Sequence, residues 1–311
     1  MIELFKLVRN GINMWQIIGA GAIGCLWAAN LYQQGEKVRL ITRRPIKADF
    51  LLYQDLQAKQ WQLPIKHGHT LLKSTKPILV CVKAPQVCQA IQAHKAQIHA
   101  EQVIILMHNG MGCAEQVQKI LPNNPIICAT TANASLLQAP FNIRHTGNGV
   151  TYLGPFNQQA KAYQHLVLAF ENALGDCHWC DDINSKLWLK LLINIAINPL
   201  TAIHQINNGG LRNANMQRLI KDILKEAFLV IPTTTLPMNA PQVHAIVTNV
   251  IELTQDNYSS MNRDIYFKRN TENEYINGYL LKKATQKNIV LPTITRLYQK
   301  IKALEESSLV H

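Results

Sequence analysis

The stretch Trp15-Gln16-Ile17-Ile18-Gly19-Ala20-Gly21-Ala22-Ile23-Gly24 decides the fold, because a short apolar run leads straight into the pattern G-x-G-x-x-G. Trp15-Gln16-Ile17-Ile18 reads as a buried strand and residues 22–34 as a helix. Lys37-Val38-Arg39-Leu40-Ile41 supplies a second strand, giving a βαβ opening. In that setting the glycines allow a tight turn and the close approach of a pyrophosphate, while the helix N-terminus offers free N–H groups and the positive end of its dipole. Glycines that served packing alone would not need a strand before them and a helix after. The expectation is a dinucleotide-binding loop made by Gly19, Ala20, Gly21, Ala22, Ile23 and Gly24.

Outward from this loop, the end of the second strand tells which dinucleotide. A chain that prefers NAD carries an acid roughly 20 residues beyond the fingerprint to hold the ribose hydroxyls. Here that place holds Thr42-Arg43-Arg44. A guanidinium suits a 2′-phosphate, so the expected cofactor is NADPH/NADP with Arg43 as its main determinant. Later apolar runs at 78–82, 103–106 and 126–129 alternate with helix-like stretches at 86–97 and 112–120, the pattern of a parallel sheet covered on both faces. Lys83 and Asn109 close two of those strands, at the end of the sheet where ligands of doubly wound folds lie. Residues 145–154 read as turns and short strands, and 158–173 as a helix.

After Cys180 the apolar spacing turns helical, over 184–198, 213–231, 241–258 and 274–288. The fold class is therefore α/β, with an N-terminal Rossmann-like doubly wound parallel sheet followed by a C-terminal all-α domain. A length of 311 residues exceeds what one core usually supports. The expected organisation is an N-terminal extension at 1–13, a dinucleotide-binding domain at 14–182 and a helical substrate domain at 183–311. In the first of those helices, Lys190, Asn194 and Asn198 recur at i, i+4 and i+8 and form a narrow polar stripe among apolar residues. A solvent face would be wider, so the stripe reads as the wall of a polar site.

Composition narrows the partners. A hydrophobic share of 48% against 16% charged residues excludes a disordered chain. The net charge of +12 invites an anionic partner, but the basic residues are scattered, with no arm for nucleic acid. A pocket for a phosphorylated cofactor and a carboxylate substrate accounts for it better. Seven cysteines without a signal sequence suit a reducing compartment. Cys177-His178-Trp179-Cys180 has no second pair to hold zinc, so no metal is expected. No stretch is expected to reach membrane-spanning length, and the expectation is a cytoplasmic protein, monomer or homodimer, acting on a small molecule.

Taken in order, Gly19 to Gly24, Lys83-Ala84-x-Gln86, His108-Asn109-Gly110-Met111-Gly112, Leu187-Trp188-x-Lys190-Leu191 and Asn194-x-x-x-Asn198-Pro199-Leu200-Thr201-Ala202 resemble the ketopantoate reductase (2-dehydropantoate 2-reductase) family. So do Asn257-x-Ser259-Ser260-Met261-x-x-Asp264-Ile265 and Thr271-Glu272-x-x-Tyr275-Ile276-Asn277-Gly278. The resemblance covers nearly the whole chain from Met14, and residues 1–13 have no counterpart. It implies NADPH-dependent reduction of 2-dehydropantoate to (R)-pantoate, a step of pantothenate and coenzyme A biosynthesis. Lys190 then matches the proton donor. Asn194, Asn198 and Asn208 match substrate contacts, and Asn257, Tyr258, Ser259 and Ser260 match the segment that holds the substrate's carboxylate and hydroxyl end. Arg43, Lys83, Asn109 and Glu272 match cofactor contacts, as does the loop ending at Ser135, although Asn133 and Ser135 depart from the commoner histidine and alanine.

Two rivals share these features. One is a related NADP-dependent 2-oxo acid or 3-hydroxy acid dehydrogenase of the same two-domain plan. The other is a non-catalytic NADPH-binding or nucleic-acid-binding regulator. The Lys190 stripe argues against the first half of that second idea, and the scattered basic residues against the other half.

Overall fold

The computed structural model of the chain describes residues 13–232 and 234–309. Apart from Asn13, the expected N-terminal extension lies outside the described residues. The chain forms two compact units. The first runs to His108 and resumes at Cys113–Ile183; the second comprises Asn109–Gly112 and the chain from Asn184 onward.

The first unit is the Rossmann-like α/β half. Its strands are β1 (Trp15–Ile18), β2 (Val38–Ile41), β3 (Leu51–Gln54), β4 (Gln60–Leu63), β5 (Lys66–Gly68), β6 (Ile78–Val80), β7 (Ile104–Met107), β8 (Ile126–Thr131), β9 (Ala134–Ala139), β10 (Asn142–Gly147), β11 (Thr151–Pro155) and β12 (Cys177–Trp179). Eight of them build one sheet in the order β12-β11-β8-β7-β6-β1-β2-β5. All neighbours in it are parallel except β8 and β11. The order reverses at β1, whose neighbours β2 and β6 leave in opposite directions, so the crevice for a ligand lies at the carboxyl end of β1.

Burial on both faces explains why these strands are nearly continuous apolar runs. Ile17, Leu40, Leu79, Ile105 and Ile127 share one core cluster with Leu26 and Trp27 of helix α1 (Ala22–Gln33). The intervening Ile18, Ile78, Val80 and Ile104 are buried as well. Helices α2 (Ala84–His94), α3 (Cys113–Ile120) and α4 (Val167–Leu174) complete the unit. Phe170 of α4 meets the rings of Trp15 and Trp27 edge-on at 5.7 and 4.8 Å. The remaining strands form a second sheet, β4-β3-β10-β9, that the sequence reading did not anticipate. Its inner residues Leu51, Tyr53, Leu63 and Ile143 extend the same core. The helix expected at 158–173 is a 3₁₀ stretch, Gln158–Leu166, that passes into α4.

The second unit is helical: α5 (Ile183–His204), α6 (Ala214–Phe228), α7 (Ala240–Leu253), α8 (Ser260–Tyr266), α9 (Tyr279–Gln286) and α10 (Pro292–Leu309). A π-helical turn, Glu274–Gly278, opens α9. The apolar spacing of α6 sends Ile220, Ile223, Leu224 and Ala227 into the core against Leu192 and Ile195 of α5, Val243 and Val247 of α7 and Ile294 and Ile301 of α10. Pro199 does not end α5, which runs on for 22 residues in all. Its length corrects the expectation that no stretch would be long enough to cross a membrane: by length and composition α5 qualifies. Its apolar side chains, from Trp188 through Leu200, lie in the core of the helical unit.

Candidate active site

Three strand ends converge at Gly19. Its N–H donates to the Ile41 carbonyl at 3.0 Å, and the Cys81 N–H donates to Ile18 at 2.8 Å. Gly19 has φ +110°, a left-handed conformation suited to glycine. Gly24 is needed for another reason, since a Cβ there would stand 1.9 Å from the Gly19 carbonyl oxygen. Gly21 faces open space with nothing within 4 Å of an added Cβ, and it caps α1 from an extended conformation without a side-chain cap. No acid occupies the first turn of α1. The loop therefore presents backbone N–H groups and a positive helix end to an open surface, a fit for the pyrophosphate of a dinucleotide.

Arg43 follows β2 and is exposed. Thr42 is fixed just before it, with its N–H on the Gly68 carbonyl at 2.8 Å and its own carbonyl bound by His69 Nδ1 at 2.8 Å. Lys83, half-buried, sits at the N-cap of α2 beyond β6. Ser135 lies on β9 with its hydroxyl donating to the Arg144 carbonyl at 3.1 Å, inside the second sheet. Asn133 is a structural tie. Its carboxamide binds Thr131, Thr151 and both backbone groups of Gly149.

In the helical unit, α5 carries Lys190 beside Glu272. Burial pushes the Lys190 ammonium down from an ordinary 10.5 to about 8, with the Glu272 carboxylate opposing part of that shift. Glu272 is itself buried and accepts from Asn109 Nδ2 at 3.0 Å. Asn109 thus groups with the helical unit, although the sequence reading placed it in the first domain. Gly110 permits this approach: at φ +79°, an added Cβ would stand 2.5 Å from the Tyr275 carbonyl, which accepts from the Met111 N–H at 2.9 Å. The carbonyl of Glu272 receives the N–H groups of Tyr275 and Ile276, so the π turn anchors the carboxylate-bearing residue.

One and two turns along α5 stand Asn194, half-buried, and Asn198, buried. Past them Thr201 donates to the Ile197 and Asn198 carbonyls at 3.0 and 3.1 Å and meets Ser259 Oγ at 2.7 Å. Ser259 also caps α8 by accepting from the Asn262 N–H at 3.1 Å. Asn262 closes the cluster by donating to the Thr201 and Ile206 carbonyls at 2.7 and 3.2 Å. Ser259 is therefore buried and engaged, whereas Ser260, Tyr258 and Asn257 are exposed beside it. Asn208 joins the same region, its N–H on the Asn257 carbonyl at 2.9 Å and its Nδ2 on Thr254 Oγ1 at 2.8 Å. Its Oδ1 is buried without a hydrogen-bond partner.

The helical unit thus gathers a cation of lowered pKa, a buried carboxylate and a row of carboxamides and hydroxyls. Such a set can protonate a developing oxyanion and hold a small polar acid. Thr201 and Asn262 are the residues that sequence reasoning missed. Thr201 lies in the stretch Asn198-Pro199-Leu200-Thr201-Ala202, but its contact to Ser259 spans 58 positions, and no local signal marks Asn262. Among the described residues no three His, Cys, Asp or Glu side chains gather as a metal site.

Comparison with known proteins identifies the family. A family model described as ketopantoate reductase PanE/ApbA matches residues 15–158, and one for the C-terminal part of the same family matches 182–305. The 2-dehydropantoate 2-reductase of Vibrio cholerae serotype O1 is 36% identical over 94% of this chain and 97% of its own length. A probable 2-dehydropantoate 2-reductase from Bacillus subtilis has a similar structure, with TM-score 0.80 and 26% identity over 94% of this chain and 100% of the other. The same fold recurs in a D-mandelate dehydrogenase solved with NADH and anilino(oxo)acetate, with TM-score 0.87 and 23% identity over 95% and 99% of the two chains.

Proposed function

Because the chain belongs to the ketopantoate reductase family, we propose that it reduces 2-dehydropantoate to (R)-pantoate with NADPH. We place this activity in the cytoplasm and on a free small-molecule substrate. The observation that carries the reading is Lys190, its ammonium brought down to about 8 at the head of the carboxamide stripe.

The residues present fit the cofactor. Gly21 leaves its approach open, Gly24 lets α1 close on the loop, and Arg43 stands where an acid would favour NADH. When bound, NADPH supplies the hydride for the substrate's C2 ketone. Negative charge then grows on the ketone oxygen, and Lys190 stabilises it and delivers a proton from Nζ. Glu272, held by Asn109, opposes the loss of charge that burial forces on Lys190 and keeps more of the ammonium protonated. Asn194 and Asn198 offer carboxamides to the substrate along the same helix face. Ser260, exposed beside the engaged Ser259, offers its hydroxyl to the carboxylate end, and Asn208 adds an unpaired carbonyl oxygen.

The test is steady-state oxidation of NADPH by the full chain with 2-dehydropantoate, alongside a panel of other 2-oxo acids that includes an aryl one. The expected result is the highest kcat/KM with 2-dehydropantoate. A clear preference for another 2-oxo acid would replace the substrate while keeping the chemistry, and no turnover with any of them would remove the catalytic reading.

A further inference from the structure

A cavity of about 270 Å³ opens at the edge of the main sheet in the first unit, and no residue of the glycine loop lines it. Arg39, Lys66, His67 and Asp49 give it its polar lining. Arg39 stands on β2 next to Leu40, which enters the core, and is itself half-buried. It lies opposite Lys66 in the register of β2 and β5. Its guanidinium bends along β5. A Cβ added to Gly68 would fall 2.0 Å from Arg39 Nη2, so the group rests on backbone that glycine leaves clear. Arg39 Nε is buried without a hydrogen-bond partner. His67 builds the wall by donating from Nε2 to the Ala48 carbonyl at 3.1 Å and by packing edge-on against Phe141 at 5.0 Å.

A guanidinium is charged at every accessible pH, and burying part of it without an acceptor is costly. Two cationic side chains, Arg39 and Lys66, against one carboxylate, Asp49, give the lining a net positive charge. Its size admits a compact molecule. We propose that this cavity is an anion site, distinct from the cofactor's own phosphate contacts, which takes the phosphate of a small phosphate monoester on Arg39 and Lys66. Arg43 does not line it. The planar fork of Arg39 would donate to two phosphate oxygens, and Lys66 at the exposed rim would supply the second charge.

The experiment is a calorimetric titration of inorganic phosphate into the full chain saturated with NADPH, in a buffer free of other oxyanions, with acetate as the comparison. NADPH is titrated first, which reports separately on the cofactor reading above. Saturable one-site binding of phosphate, tighter than acetate, is expected. Arg39→Met should weaken it about tenfold or more, the scale of losing a hydrogen bond to a charged group. Gly68→Ala should do the same by displacing the guanidinium, and KM for NADPH should stay unchanged with Arg39→Met. Should Arg39→Met fail to fold by circular dichroism, Lys66→Gln on the exposed rim carries the test, with weaker phosphate binding expected. Absence of saturable binding, equal binding of acetate, undiminished affinity in the folded variants, or a rise in NADPH KM with Arg39→Met would overturn the assignment.

Discussion

An ammonium brought from 10.5 to about 8 is a better proton donor near neutrality, and it also makes the rate sensitive to pH in a usable range. With Lys190 proposed as the proton donor, kcat for reduction should be level below about pH 7 and fall as pH rises through about 8; a rate profile flat to pH 10 would deny Lys190 the role. The linkage to stability has the matching sign. Between about 8 and 10.5 the unfolded chain holds the proton that the folded one has lost, so this residue's contribution to stability rises with pH across that window. At the cofactor end, Arg43→Asp should weaken NADPH far more than NADH, because it removes the partner of the 2′-phosphate and sets a like charge beside it. Equal loss with both cofactors, measured by fluorescence titration, would count against it. Lys190, Asn194 and Asn198 were legible because one helix period aligns them. Thr201 and Asn262 were not, because their work depends on contacts 58 and 61 positions away.

Elements differ in how openly they announce themselves. The glycine loop and α1 do so through spacing alone, and the structure assigns the two glycines different tasks. Gly24→Ala should lower Tm, since its methyl meets the Gly19 carbonyl with no room to move, an overpacking cost of about 1–3 kcal/mol. Gly21→Ala should leave Tm nearly unchanged and weaken NADPH, because the space it fills is where the cofactor approaches. Equal effects of the two on Tm would refute that division. Between α5 and α8, Thr201→Val keeps shape but removes the hydroxyl that meets Ser259. We expect KM for 2-dehydropantoate to rise roughly tenfold with KM for NADPH unchanged, and Thr201→Ser to restore it. The second sheet was illegible for a physical reason: β4 and β9 are largely exposed, so they lack the apolar runs that mark the central strands. The π turn at Glu274–Gly278 was hidden in the same way, since its residues fit ordinary helical spacing.

At the scale of the molecule the chain divides its labour. The first unit presents the glycine loop at the topological switch point of its sheet, and the second collects the polar groups that we propose handle an acid. The ordering of parallel strands could be argued from sequence because alternation of strand and helix forces it. The transfer of Asn109–Gly112 to the helical unit could not, since it rests on Gly110 lying against Tyr275 and on Asn109 binding Glu272. The net charge of +12 favours anionic substrates without specifying any of them. We propose that Lys190 supplies the proton in the reduction of 2-dehydropantoate, and the most direct measurement is kcat for the parent and Lys190→Ala under saturating NADPH. The expected result is a fall of roughly 10²–10⁴-fold, the scale of losing a positioned general acid, with NADPH affinity near normal. A folded Lys190→Ala protein that binds NADPH and reduces 2-dehydropantoate at close to the parent rate would contradict it.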